Sequence, residues 1–96
     1  MANKITRKSP LVLRLYVAGD APNSKRAIAN VKAICDQHFA SAHKLEIVDL
    51  LQNAEEALAD GIVVTPTLLK LLPLPVQRLI GNLSDTDQVV LTLGST

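Results

Sequence analysis

The chain has 96 residues, ten of them Lys or Arg and nine Asp or Glu, for a formal net charge of +1. That length suits a single domain, and so even a charge balance leaves no long-range field to gather nucleic acid or a membrane surface. Hydrophobic residues make up 48% of the chain while Tyr16 and Phe39 are its only aromatics, so the expected core is aliphatic.

Residues 1–10 carry Lys4, Arg7 and Lys8 without an apolar pattern and read as a flexible basic lead-in to a domain over 11–96. The lead-in lacks the charged-then-apolar layout of a signal peptide. No apolar stretch approaches the ~20 residues that span a bilayer, so a soluble, cytoplasmic protein is expected. Leu11 to Ala18 (LVLRLYVA) is short and apolar, which predicts a central strand covered on both faces. Pro22 then suits the first turn of a helix, where its missing N–H is no loss. Ala27, Ile28, Val31, Ile34, Cys35, His38 and Phe39 recur at helical spacing and predict an amphipathic helix over 22–40. Lys44 to Leu50 (KLEIVDL) is a second strand. Strand, helix, strand in this short compass is a βαβ unit, which implies parallel pairing. Residues 53–60 (NAEEALAD) read as a short helix with Glu55 and Glu56 in its first turn, ended by Gly61.

The second half gives conflicting signals. In Ile62 to Leu72 (IVVTPTLLKLL), Pro66 forbids an uninterrupted helix and Thr65 and Val64 favour strand, yet the leucines also fall at helical spacing. Val76 to Ile80 is a plausible strand, and Gly81-Asn82 a turn. Ser84 with Asp87 three residues on resembles a capping box and predicts a last helix, although Val89 to Thr92 are strand formers.

Few residues offer chemistry. The one cysteine, Cys35, cannot form an internal disulfide, and on the apolar helix face burial makes it inert. His38 and His43 stand across a helix end without a metal-ligand pattern. Ser24, Ser41, Ser84 and Ser95 lack a nucleophile-elbow context, and no Gly-rich phosphate loop is present. Adjacent Glu55 and Glu56 diverge on a helix and are expected to be solvated. No catalytic residue, cofactor site or metal site is therefore expected. Arg26 lies early on the long helix, and Lys70 and Arg78 flank the Pro73–Pro75 corner, where a hairpin brings them near one edge. Such cations are either exposed and weakly interacting or anchors for an acidic partner.

The strand, Pro-containing loop, long helix, strand and later Thr-Pro turn resemble thioredoxin. In that comparison Ala21 and Ser24 stand where the two redox cysteines would be, and Pro66 matches the proline that faces them. A more specific resemblance is carried by Leu13-Arg14-Leu15-Tyr16-Val17-Ala18-Gly19 with Pro22-Asn23-Ser24, by Ile47-Val48-Asp49-Leu50, by Val64-Thr65-Pro66-Thr67-Leu68, and by Pro75 to Ser84 (PVQRLIGNLS). Four such segments in order, covering about Leu11 to Leu93, resemble the KaiB family. The resemblance implies an α/β fold with a thioredoxin-like βαβ N-terminal half and a metamorphic C-terminal half. Members have a tetrameric ground state and a thioredoxin-like monomer. The monomer binds the first ATPase ring of the hexameric ATPase and kinase KaiC, sequesters KaiA there and competes with the sensor kinase SasA. A non-catalytic regulator of a KaiC-like ATPase is thus implied, in a circadian clock or in stress adaptation; a SasA-like adaptor domain of two-component signalling is the alternative. Because concentrated protein favours association, the oligomeric ground state, a dimer or tetramer, is the expected form. By resemblance Arg26, Lys70 and Arg78 are the protein-binding residues, with Pro22 and Pro66 structural. Gln77 replaces the first arginine of the family's Pro-Val-Arg-Arg string, and Glu46 and Gly61 stand where cyanobacterial clock members usually carry lysines. The sequence closes on Gly94-Ser95-Thr96 without those members' acidic tail.

Overall fold

The computed structural model describes residues 10–39 and 43–94, so the lead-in assigned to 1–10 falls, but for Pro10, outside the described residues. In chain order the elements are β1 (Leu11–Val17), α1 (Pro22–His38), β2 (His43–Asp49), α2 (Ala54–Ala59), β3 (Thr67–Leu72), β4 (Gln77–Ile80) and α3 (Thr86–Leu93). The four strands form one sheet in the order β2-β1-β3-β4. β1 runs parallel to β2, with Leu13 opposite Leu45 and Tyr16 opposite Val48, as the βαβ pattern predicts. On its other side β1 pairs antiparallel with β3, Leu15 opposite Leu68 and Tyr16 opposite Thr67. β4 then pairs antiparallel with β3 at the edge.

β1 is apolar because it is central and covered twice. Its side chains alternate between faces. Leu11, Leu13, Leu15 and Val17 point to one side and bury against Ala27, Val31, Ile34 and Cys35 of α1, together with Leu68, Leu83, and Val89 and Leu93 of α3. Tyr16 points the other way, into a smaller cluster with Val48, Ala57 of α2, Ile62 and Leu69. Each fully buried aliphatic side chain contributes about 1.5–3 kcal/mol, so the larger cluster dominates stability. Pro22 occupies the first turn of α1, and the helix closes with the Phe39 N–H on the Cys35 carbonyl. α2 has six residues and buries only Ala57. A helix that short does not persist on backbone bonding alone.

The ambiguous second half settles as two strands and a helix. β3 reads like a helix because it is buried on both faces: Leu68 joins the larger cluster and Leu69 the smaller. Capping of α3 differs from the expected capping box. The side chain of Asp85, not Ser84, accepts from the Gln88 N–H. Leu83, just before it, is held at φ +63° with its side chain buried.

Candidate functional site

β1 lies between β2 and β3, and the chain leaves β1 for one face of the sheet through α1 and leaves β2 for the other face through α2. In open α/β sheets the end where the strands' directions out of the sheet divide is where ligands find a crevice. At this end β1 passes into the loop Ala18–Ala21 and the start of α1. Beside it, Thr65-Pro66 enters β3 through a cis peptide bond. Gly19 adopts φ +55°, and its N–H donates to Asp49 Oδ1 at 3.0 Å. The same oxygen accepts from the Leu51 N–H at 3.0 Å, which ties the ends of β1 and β2 together. The Gly81 N–H donates to the Pro66 carbonyl at 3.0 Å, and Asn30 Nδ2 of α1 donates to the Asn82 carbonyl at 2.8 Å. The loops at this end are thus cross-tied, while the aliphatic side chains of Leu51 (72% exposed), Val63 (87%) and Val64 (44%) face solvent.

The positions matching thioredoxin's cysteines hold Ala21, which is exposed, and Ser24, which is buried. The Ser24 hydroxyl accepts from the Ala18 N–H at 3.1 Å and locks the helix start to the end of β1. Cys35 is buried, as expected, and burial pushes its thiol up to about 11, well away from a reactive thiolate. His43 Nδ1 lies 2.9 Å from the Phe39 carbonyl. Glu55 is exposed as expected, but Glu56 is half-buried, with a carboxylate oxygen 3.7 Å from the Arg14 guanidinium.

The three sequence-derived cations do not share a face. Arg26 is exposed on α1, with Nη1 3.4 Å from Asn23 Oδ1. Lys70 is not exposed as expected but 1% accessible. Lys70 pairs with Leu13 and Gln77, whereas Arg78 pairs with Leu69, one position along β3. Successive residues of a strand point to opposite faces, so the hairpin brings Lys70 and Arg78 together in register and separates their side chains. Arg78 lies on the α2 side, where Nη1 donates to the Gly61 carbonyl at 3.1 Å and Nη2 to the Asp60 carbonyl at 3.0 Å.

The most connected polar group on that side is one that sequence reasoning missed. Arg14 Nε donates to Glu46 Oε1 at 2.9 Å, across the β1–β2 register, and Arg14 Nη1 donates to Asp60 Oδ2 at 3.0 Å. The Tyr16 hydroxyl donates to the same Asp60 oxygen at 2.6 Å and lies 3.2 Å from the Glu56 carbonyl. Tyr16 is fully buried. A charged residue inside an otherwise apolar central strand was the available signal, since a charge there requires a partner.

With the site laid out, the class is plain: a thioredoxin-like α/β fold whose redox positions hold Ala21 and Ser24. The N-terminal domain of SasA from Synechococcus elongatus matches with a TM-score of 0.75 at 29% identity, over 92% of this chain and 83% of that one. A germline-specific thioredoxin of Drosophila, Deadhead, matches with a TM-score of 0.73 at 15% identity, over 91% of this chain and 81% of the other. The profile of the KaiB domain matches residues 14–95. The chain is 46% identical over 86 residues to the circadian clock oscillator protein KaiB of Trichodesmium erythraeum, covering 90% of this chain and 83% of that protein. It is 48% identical over 82 residues to its namesake in Synechococcus elongatus, covering 85% and 80%. The chain belongs to the KaiB family. The arrangement described here is the thioredoxin-like one. No helix among the described residues is long and apolar enough to cross a membrane.

Proposed function

We propose that this chain is a non-catalytic KaiB-type protein that binds and regulates a KaiC-like hexameric ATPase and kinase. The supporting observation is the 46–48% identity to clock oscillator proteins across 85–90% of the chain. The geometry is consistent with docking rather than chemistry. The cross-tied end of the sheet carries exposed Leu51, Val63 and Val64, with Arg26 on the adjoining helix. Apolar contacts flanked by a cation suit a protein surface with a matching apolar patch and a carboxylate. A cytoplasmic home, self-association to a dimer or tetramer in the free state, and a place for KaiA or a SasA-type kinase as further partners belong to the same reading. So does a role in a clock or in stress adaptation. By the family resemblance Gln77, Glu46 and Gly61 stand in place of three cations, and weaker steering toward an acidic partner follows.

The test is co-elution with the cognate KaiC-family ATPase after prolonged incubation. Wild type is expected to form a complex, and Arg26→Ala to weaken it by about tenfold, within the range for a charged interface contact. Absence of any complex, or identical behaviour of the two proteins, would count against the reading. A SasA-like adaptor role is the second reading, favoured by the 0.75 TM-score with that domain. It predicts partnership with a histidine kinase, and a neighbouring gene for such a kinase without one for a KaiC-like ATPase would favour it.

A further inference from the structure

Arg78 was expected to meet a partner, yet its guanidinium is already engaged within the chain. It donates to the carbonyls of Asp60 and Gly61, at the end of α2, where a helix leaves acceptors unmet. Gly61 follows at φ +70° and turns the chain away from the helix axis. From β1, Tyr16 and Arg14 both donate to one oxygen of the Asp60 carboxylate, at 2.6 and 3.0 Å. Arg14 is in turn fixed by Glu46 of β2. Side chains from two strands, β1 and β4, thus converge on the two-residue segment Asp60-Gly61, with Glu46 of β2 bracing Arg14.

Beyond that segment the chain runs through buried Ile62 to exposed Val63 and Val64. Its far end is closed by Thr67 Oγ1, which donates to the Val64 carbonyl at 2.7 Å. Apolar packing at the near end is confined to Ala57 and Ile62, which join the small cluster around Tyr16, and the Ile62 N–H donates to the Ala57 carbonyl at 2.9 Å. Charge-assisted hydrogen bonds are the stronger kind, and here they supplement that small hydrophobic contact.

We propose that Arg14, Tyr16 and Arg78 are positioning residues that clamp Asp60-Gly61 and so hold Val63 and Val64 as a preformed docking loop. Arg78, although exposed, acts through its two bonds to the Asp60 and Gly61 carbonyls. What the loop docks against rests on the function proposed above; the clamp itself does not. A preformed loop binds more tightly because little ordering remains to be done at the interface.

The experiment is amide hydrogen exchange on the full chain, comparing wild type, Tyr16→Phe, Asp60→Asn and the double variant. Both single changes keep side-chain shape, and each provides a check if the other folds poorly. In each, amides between Ala57 and Thr65 are expected to exchange at least about tenfold faster, as for loss of a hydrogen bond to a charged group. Amides of α1 and β2 should stay within about twofold of wild type. The double variant should add little to the more severe single, because Tyr16 acts through Asp60. Unchanged exchange at 57–65, a rise in step across the whole chain, or additive effects would each overturn the clamp. A second measurement separates the clamp from the function. If the clamp holds, Tyr16→Phe should slow association with the KaiC-family ATPase in proportion to the opened fraction and leave dissociation within about twofold. Faster dissociation with unchanged association would overturn the positioning role. If the variants show the exchange pattern but wild type binds no such ATPase, the proposed function falls and the clamp stands. If wild type binds and the exchange pattern is absent, the reverse holds.

Discussion

Hydrogen bonding from Tyr16, and then from Arg14, holds the Asp60 carboxyl below its ordinary range against the opposing pull of burial. Because the folded chain prefers the ionised form, this contribution is full above the ordinary carboxylate range. It is lost as pH falls through the lowered value. Two other groups act in the opposite direction. Burial, and then the bond to Asp60, pushes the Tyr16 hydroxyl up to about 12; burial pushes the Cys35 thiol up to about 11. Both favour the protonated form, so their contributions are full below the ordinary values of 10.0 and 9.0 and are lost as pH rises through the raised ones. Urea midpoints measured against pH should show a plateau that declines at both ends. Asp60→Asn should flatten part of the acid limb, and Tyr16→Phe part of the decline between pH 10 and 12. An acid limb unchanged in Asp60→Asn would contradict the assignment. At this scale the sequence was a partial guide. The helix-start positions Ala21 and Ser24 were legible from strand, loop and Pro22, and the inertness of Cys35 from its place on the apolar face. The exposure of Lys70 was misjudged, because alternation along β3 depends on which residue begins the strand. Arg14, Tyr16 and Asp60 are 44 to 46 residues apart across their bonds, so their meeting is a property of the tertiary fold alone.

Helix α3 shows how an element can go against its own propensity. Val89 and Leu93 lie four apart and bury against the face of β1 that α1 also covers. That burial, with the Asp85 cap, outweighs the strand preference of the valines. Asp85→Ala is therefore expected to lower stability by about 0.5–2 kcal/mol, while Ser84→Ala changes it by only a few tenths, as measured by urea denaturation. The reverse ranking would restore the capping-box reading. The first half of the chain was legible because β1, α1 and β2 each carry a single clean period. β3 was not, because burial on both faces erases the two-residue alternation and leaves a leucine run that fits either structure. Its identity as a strand comes from its neighbour: β1 has one edge filled by β2 and presents the other.

The whole molecule depends on β1, which supplies side chains to both apolar clusters and pairs on both edges. Leu15 is its most enclosed aliphatic position, at 0% exposure. Leu15→Ala should cost about 2–5 kcal/mol, the usual range for a fully packed leucine. A loss under 1 kcal/mol would mean that the larger cluster closes around the gap. The same change leaves the docking end of the sheet chemically untouched, so any binding that survives in the folded fraction should have wild-type affinity.

The central place of the first strand has a further consequence during synthesis. Leu13 pairs with Lys70, which is 57 residues later in the chain (70 − 13). At ribosomal rates of about 5–20 residues per second, β1 waits roughly 3–11 s before its antiparallel partner has even been made. Through that interval an apolar strand with one open edge exists on every nascent chain, and neighbouring chains on the same messenger carry the identical strand. The α1 helix, which follows directly and buries one face of β1, is the element that can cover it in the meantime. The order of elements along the polypeptide thus guards against aggregation on the polysome before it serves the finished fold.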